Sequence, residues 1–209
     1  MANIRYRSSF AKMGVEAREE LIRKVAQLGK DAIDYAFEQG FRKYSRRITD
    51  ERYRRWLERK GKSTTSSWDD ISGNLRDSFG SAVYVNGELR TDTIKFANEN
   101  PTGGRTRDAI DPRSGREALM DYFRSIHPGR GKNEIVLICV SAMYYTKFLE
   151  AGTHGGHYKI KVVSTAAEYV RKHWEAVVSG IYKSLRIKKP ATKVIKGDIR
   201  PLKDSGYYG

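Results

Sequence analysis

The sequence predicts an α+β fold in which a long N-terminal helix and a C-terminal helix pack on a small, mostly antiparallel sheet. Two amphipathic stripes with helical spacing, one near each end of the chain, predict the two helices. Between them, an Asn86-Gly87 pair flanked by β-prone residues and an apolar run from Ile135 to Val140 predict strands. An extended loop and a basic C-terminal arm complete the predicted architecture.

The first predicted helix runs from about Val15 to Gln39. Its apolar side chains recur three and four residues apart, so they form one broad stripe that we expect to face the core. They are Leu21, Ile22, Val25, Leu28, Ala32, Ile33, Ala36 and Phe37. Gly40 follows this stripe and is predicted to end the helix.

A short helical turn and a hairpin are predicted next. Within residues 68–79, a short helical turn is predicted from the spacing of Ile71, Leu75, Ser78 and Phe79. The Asn-Gly pair then marks a two-residue hairpin turn, because both residues tolerate positive φ. We expect this turn to join strands near Ala82–Val85 and Thr93–Phe96.

Residues 98–116 are rich in Gly, Asn, Asp, Pro and Arg without a sustained period, and are predicted to form a loop. A brief helical stripe follows from Ala118 to Ile126. The segment Glu134–Ser141 is typical of a buried strand, and Met143–Ala151 of a short helix.

The last predicted elements are a strand and the C-terminal helix. The segment Tyr158–Val163 alternates polar and apolar residues, which is typical of a strand with one wet face. Ser164 or Thr165 is predicted to open a helix that ends near Leu185, with Glu168 completing a capping box.

These elements predict one α+β domain over residues 1–186, which includes a loop-rich insertion at 98–133. Residues 187–209 are basic, contain Pro and Gly and have weak periodicity, so they are predicted to be an arm that becomes ordered against a partner.

The net charge of +15 is unevenly distributed. Residues 1–68 hold 17 Lys and Arg against 9 Asp and Glu, and residues 151–209 hold 12 against 4. Residues 69–150 hold 11 against 12 and are nearly neutral. Basic ends around a neutral centre indicate contact with a polyanion or an acidic protein, although basic surface can also serve solubility alone.

The composition argues against several classes of protein. No apolar run approaches the roughly 20 residues that span a bilayer. Residues 1–10 have no apolar stretch behind Arg5 and Arg7, so they do not resemble a signal peptide. The single cysteine, Cys139, excludes an internal disulfide and is predicted to be a small buried hydrophobe.

Patterns that could support catalysis or metal binding are weak. His154 and His157 follow Glu150, but their spacing does not match a metal site and no cysteine lies nearby. Gly61-Lys62-Ser63 lacks the upstream glycine of a phosphate-binding loop. An acidic group could form a nuclease-type metal site, but charge pairing with nearby arginines is the simpler interpretation. It comprises Asp108, Asp111, Glu117 and Asp121. We therefore expect no enzyme activity and no cofactor.

Residues 41–59 interleave arginines with aromatic residues. Such a segment can contact phosphates and stack on bases, or it can be a solvated helix face whose aromatics anchor it to the core or to another subunit. We favour the second interpretation. The candidate contacts to DNA or to a partner in this segment and in the arm are Arg42, Arg46, Arg47, Arg54, Arg55, Lys188, Lys189 and Lys193.

Two motifs resemble those of the neck or tail-completion proteins of long-tailed bacteriophages. The first is Ser72-Gly73-Asn74-Leu75-Arg76-Asp77-Ser78, directly before the predicted hairpin. The second is Tyr144-Tyr145-Thr146-Lys147-Phe148-Leu149-Glu150-Ala151-Gly152-Thr153. The order of the intervening elements is similar as well, from the first helix to the last. The chain departs from the family's pattern at Trp68–Ile71 and after Thr153. Its loop and its C-terminal arm are longer than is usual in the family.

The resemblance implies structural roles for the motif residues. They are Gly73, Leu75, Arg76, Ser78, Tyr145, Phe148, Glu150, Gly152 and Thr153. Gly73 would permit a tight turn and Gly152 a left-handed helix cap, with Leu75 anchored in the core. Glu150 would accept hydrogen bonds from backbone or arginine donors.

The function that the resemblance implies is structural. The chain would form a six- or twelve-fold homo-oligomeric ring between portal and tail in the virion, assembled in the cytoplasm of a bacterial host. Its partners would be copies of itself, portal or adaptor and tail proteins, and passing DNA, with no membrane. A nucleic-acid-binding protein that uses residues 41–59 and the C-terminal tail is the alternative, and a metal-dependent nuclease that uses Asp108 and Asp111 is a third.

Overall fold

A computed structural model describes most of the chain. The described residues are 2–9, 13–42, 45–47, 68–70, 74–101, 113–128, 131–143, 146, 150, 161–186 and 193–195. The helices are α1 (Val15–Ala36), continued by a π-helix (Phe37–Arg42), then α2 (Asn74–Asp77), α3 (Gly115–Ser125) and α4 (Val162–Ser184). The strands are β1 (Ala2–Ser9), β2 (Ser45–Arg47), β3 (Trp68–Asp70), β4 (Phe79–Val85), β5 (Glu88–Phe96), β6 (Glu134–Ser141) and β7 (Lys193–Ile195).

The main sheet has five strands in the order β5-β4-β6-β1-β7, and every neighbouring pair is antiparallel. Strand β6 lies at its centre and coincides with the predicted buried strand. It pairs along its whole length with β1, from Ala2 opposite Ser141 to Ser9 opposite Glu134. A separate parallel pair joins β2 to β3. The predicted α+β architecture, with two long helices on a small antiparallel sheet, is confirmed.

Helices cover both faces of the sheet. On one face, a methyl group built on Gly29 of α1 would lie 2.8 Å from Oγ of Ser81 in β4, so the helix lies close to the strand. On the other face, Leu119 of α3 contacts Gly80, and the Tyr84 hydroxyl donates to the Phe123 carbonyl at 2.6 Å. Because Gly80 and Ser81 are consecutive, they point to opposite faces, and the described elements form three layers.

Helices α1 and α4 lie side by side on the first face. The rings of Tyr35, near the end of α1, and Tyr169, near the start of α4, have centroids 5.3 Å apart, so the two helices run antiparallel. Their apolar stripes join the core, as the periodicity predicted. The buried Cys139 lies in the same core, and burial raises the pKa of its thiol to about 12, which confirms the prediction of a buried hydrophobe.

The hairpin of β4 and β5 confirms its prediction. Asn86 and Gly87 form its turn with φ of 55° and 88°. Strand β5 then bulges away from β4 between Ser81 and Val83. The Thr93 hydroxyl fills the gap, since it accepts from the Val83 N–H at 3.0 Å and donates to the Arg90 carbonyl at 2.6 Å. A bulge on an edge strand interrupts its ladder and hinders pairing with another chain.

Helix boundaries differ from the prediction at two places. Gly40 does not end the first helix, which continues as a π-helix through Arg42. The π-helix packs against α4 and begins with the buried Phe37, and this packing outweighs the roughly 1 kcal/mol helix penalty of one glycine. Val162 and Val163, predicted to end a strand, instead form the first turn of α4.

Other differences are smaller. Phe79, predicted to belong to the helical turn, is the first residue of β4, whereas α2 itself confirms the turn. Ala2–Ser9 forms β1, a strand that was not predicted from the sequence. The division into a domain at 1–186 and an arm at 187–209 stays a prediction, although β7 lies within that arm.

Candidate functional site

The two sequence motifs meet beside the end of the central strand β6. The Ser78 hydroxyl, from the first motif, lies 3.1 Å from the Ser141 hydroxyl. The Ser141 hydroxyl lies 2.9 Å from that of Thr146, from the second motif. All three side chains are buried. We call these three hydroxyls the polar junction, and the motifs are joined through it by hydrogen bonds rather than by a cleft.

The backbone around the junction is also tied together. Ser78 closes α2, because its N–H donates to the Asn74 carbonyl and its hydroxyl donates to the Leu75 carbonyl at 2.9 Å. The Ala142 N–H donates to the Ser78 carbonyl at 3.0 Å. Leu75 is buried, as the resemblance implied. The first motif therefore fixes where α2 ends and where β4 begins.

A second set of contacts joins the first motif to α3. The Asn74 side-chain oxygen accepts from the Gly115 N–H at 2.9 Å, and Asn98 donates to the Asp77 carboxylate at 2.5 Å. Asn74 and Asp77 are buried, so these bonds satisfy polar groups that lack water. Asn74 had no predicted role of its own, and Gly115 was predicted to lie in a loop. The Ser114-Gly115 pair at the start of α3 was a usable signal, since Ser114 forms a capping box with Glu117.

Two arginines beside this region contact aromatic rings. The Arg116 guanidinium lies 3.5 Å from the centroid of Phe96 and donates to the Asn98 carbonyl, and burial lowers its pKa. Arg76, a motif residue, lies 5.9 Å from the centroid of Phe37. Its described contact is therefore with the π-helix, which is a structural role.

Glu150 of the second motif caps the first turn of α4. Its carboxylate accepts from the Val163 N–H at 2.5 Å, from the Ser164 N–H at 3.3 Å and from the Ser164 hydroxyl at 2.6 Å. The expected role as an acceptor of backbone hydrogen bonds is confirmed. The predicted capping box at Thr165 and Glu168 does not form, because α4 starts earlier and takes its cap from another segment.

Burial and hydrogen bonding have opposite effects on the Glu150 carboxyl. Burial raises its pKa above the ordinary value of 4.5, because the charged form is disfavoured away from water. The hydrogen bonds from Ser164 and Val163 favour the charged form and oppose this shift, but burial dominates. The Glu150 carboxyl therefore caps α4 at the edge of the core, where burial raises its pKa.

The remaining predicted residues are only partly placed. Arg42 ends the π-helix, and the register of β2 and β3 sets Arg46 opposite Asp69 and Arg47 opposite Asp70. Lys193 begins β7. The others lie outside the described residues: Gly73, Tyr145, Phe148, Gly152, Thr153, Arg54, Arg55, Lys188 and Lys189.

Two of the four acidic residues of the nuclease hypothesis are among the described residues. Glu117 belongs to the capping box of α3, and Asp121 accepts from Arg113 at 3.1 Å. Asp108 and Asp111 lie outside the described residues, as do the two histidines at 154 and 157. Within the part of the chain that the structure describes, no three His, Cys, Asp or Glu side chains are grouped to hold a metal ion. None of the described helices has the length and apolar character needed to cross a membrane.

Comparison of the sequence with protein-family models gave no match, and comparisons with curated proteins and with solved structures gave no significant match.

The contact between Asn74 and Gly115 predicts a specific sensitivity to substitution. A methyl group on Gly115 would lie 1.8 Å from the Asn74 carbonyl oxygen, so Gly115→Ala forces backbone apart and should lower the free energy of unfolding by about 3 kcal/mol. Gly180→Ala is the matched control in α4, where nothing lies within 4 Å, and should stabilise by up to about 1 kcal/mol. Urea denaturation measures both changes; equal effects of the two variants would contradict this account.

The perturbed Glu150 carboxyl predicts a pH dependence. Between pH 4.5 and its raised pKa, the folded protein keeps a proton that the unfolded chain has released, so the contribution of Glu150 to the free energy of unfolding falls as pH rises. The free energy of unfolding of wild type minus that of Glu150→Gln should therefore decrease from pH 4.5 towards neutral pH.

Glu19→Gln is the control with the opposite sign. The hydrogen bonds from Arg90 lower the pKa of Glu19, so its contribution is lost as pH falls through the lowered pKa. The corresponding difference for Glu19→Gln should rise with pH in the acidic range. Denaturant titrations across pH measure both slopes, and a flat or rising difference for Glu150→Gln would refute the assignment.

Proposed function

We propose that this protein is a non-enzymatic structural protein of a tailed-phage particle. In this role it forms a homo-oligomeric ring in the neck and joins the DNA-filled head to the tail. The observation that carries the proposal is the polar junction of Ser78, Ser141 and Thr146, where both motifs of the resemblance meet in the core.

The chemistry of the motif residues supports a scaffold. Every described motif side chain serves an internal contact: Leu75 in the core, Arg76 against an aromatic ring, Ser78 in the junction and Glu150 at a helix cap. A substrate site needs polar groups that face a cavity and remain available to a ligand. These four residues instead maintain the relative positions of the sheet and the two helix layers.

The charge distribution supports a partner role for the chain's basic segments. Positive charge concentrates before residue 69 and after residue 150, outside the hairpin and the central strand. In a neck ring these segments would meet passing DNA or an acidic neighbour, since a basic patch attracts a polyanion without needing base-specific contacts.

The alternative, a dedicated nucleic-acid-binding protein, rests on the same basic segments. The register of β2 and β3 places two of these residues, Arg46 and Arg47, beside Asp69 and Asp70.

The proposal predicts that purified particles contain this protein in a ring of six or twelve copies. Quantitative mass spectrometry of particles, together with a reconstruction of the neck, measures the copy number and the position. Particles made without the protein should yield filled heads and separate tails. Intact, infectious particles lacking the protein would overturn the proposal.

A binding titration separates the alternative function. The free protein should bind duplex DNA weakly at 150 mM salt if its basic segments act only in the assembled neck. Tight binding whose affinity falls steeply with salt concentration, combined with absence from particles, would instead establish the nucleic-acid-binding function.

A further inference from the structure

Three aromatic side chains are stacked in a row where α1 and α4 meet. The ring centroids of Tyr35 and Tyr169 are 5.3 Å apart, and those of Tyr169 and His173 are 4.2 Å apart. His173 is held in place because its Nδ1 lies 2.8 Å from the Tyr169 carbonyl oxygen. We call these three residues the aromatic row. Its rings are already ordered, so a ligand that binds there loses less entropy than one that orders free side chains.

The end of the aromatic row at Tyr35 reaches the surface. The Tyr35 side chain is 46% exposed, and among the described residues only Val15 is a comparably exposed large hydrophobic residue. Tyr169 and His173 are half-buried. A single exposed tyrosine is common on protein surfaces, so its exposure alone does not indicate a binding site. The charge beside it is the second observation.

Asp31 places an unpaired carboxylate beside Tyr35. The two residues are four apart on α1 and are therefore neighbours on the helix surface. The Asp31 carboxylate accepts from the neutral Gln27 amide at 2.8 Å, and within the described part of the chain it forms no ion pair. On α4, the row is flanked by Glu168 and Lys172, whose opposite charges balance. The charge of Asp31 is therefore not neutralised locally.

An aromatic ring next to an unpaired carboxylate is suited to bind an arginine side chain. A guanidinium can stack on the ring and donate hydrogen bonds to the carboxylate at the same time, because it is planar and weakly hydrated. A lysine ammonium is more strongly hydrated and lacks this planar geometry. The carboxylate would repel the phosphates of a nucleic acid. The expected ligand is therefore an arginine of a protein.

The chain itself carries arginines that could serve as this ligand. Residues 52–59 contain four arginines, whereas residues 187–209 contain one arginine and five lysines. Neither Tyr35 nor Asp31 has a cation–π contact or an ion pair with an arginine of its own chain in the described structure. The arginines that fit this surface would thus come from another molecule.

We propose that Tyr35, with Asp31 beside it, binds an arginine from residues 52–59 of a second copy. This inference rests on the proposed neck ring, because it names the contact between successive subunits of that ring. The acidic-aromatic surface and the arginine segment are different parts of the chain. Each copy would offer one and receive the other, which is a heterologous contact of the kind that closes a ring.

Self-association of the full-length chain at millimolar concentration tests the contact by sedimentation velocity. Tyr35→Ala should weaken association about fivefold or more, and Asp31→Asn about threefold. Tyr35→Phe keeps the aromatic ring and should stay within about twofold of wild type. Val15→Ala is the matched control, since it removes the other exposed apolar side chain about 30 Å away along α1 and should change nothing. Circular dichroism checks that each variant keeps its helices.

A mixing experiment tests the head-to-tail arrangement. A second variant replaces the four arginines by lysines and so keeps the charge of the segment: Arg52→Lys, Arg54→Lys, Arg55→Lys and Arg59→Lys. Alone, this variant should associate as weakly as Tyr35→Ala. Mixed together, the two variants retain one working contact, so they should form dimers and no larger species. A wild type that stays monomeric, a Tyr35→Ala variant that associates normally, or a mixture that does not associate would each overturn the inference.

Photo-cross-linking in particles separates this inference from the proposed function. The variant Tyr35→benzoylphenylalanine should cross-link to residues 52–59 of another copy, and mass spectrometry identifies the linked peptides. Cross-links to a different protein, to a different segment, or within one copy would reject the proposed contact and leave the neck role standing. Association and mixing results as expected, with no copies of the protein in particles, would support the contact and reject the neck role.

Discussion

The central strand β6 is buried on both faces and paired along both edges, and the other elements are arranged to meet this constraint. Its backbone groups cannot reach water, so β1 and β4 must supply hydrogen-bond partners over its whole length. Its side chains require an apolar layer on each face of the sheet. Helices α1 and α4 provide this layer on one face, and α3 provides it on the other. Strand β1, at the start of the chain, therefore pairs with a central strand that lies more than a hundred residues later.

The end of β6 is where apolar burial gives way to buried polarity. Ser141 is buried, and its hydroxyl would be unsatisfied without Ser78 and Thr146. A buried hydroxyl that loses its partner destabilises a fold by about 1–3 kcal/mol, so the junction specifies how the two motif segments sit against the strand. Asn74 and Asp77 extend this specification to α3 and to the end of β5. The motifs thus fix the relation between layers rather than a reaction centre.

Elements whose signal lies in their own residues were predicted from the sequence, and elements that depend on a distant segment were not. The stripe of α1, the turn at Asn86 and the apolar run of β6 each carry their own pattern, and all three were predicted. The start of α4 was not, because its cap comes from Glu150, thirteen residues before Val163. For β1 a signal existed, since Ile4 and Tyr6 alternate with arginines, but its partner β6 lies more than a hundred residues later in the sequence. Of the candidate site, the acceptor role of Glu150 was predicted and the hydrogen bonds between the motifs were not.

In the proposed neck role, a fold whose described motif residues face inward would bind its partners through its sheet edges and its basic segments. The edge at β5 is blocked by a bulge and by the ion pair of Arg90 with Glu19, and that pairing lowers the pKa of Glu19 and keeps it charged. Within the described residues, β7 pairs with only three residues of the β1 edge. A sheet with one open edge can pair there only with the same edge of a second copy, which gives a two-fold contact. The head-to-tail contacts of the proposed ring would therefore have to come from the basic segments rather than from the sheet edges.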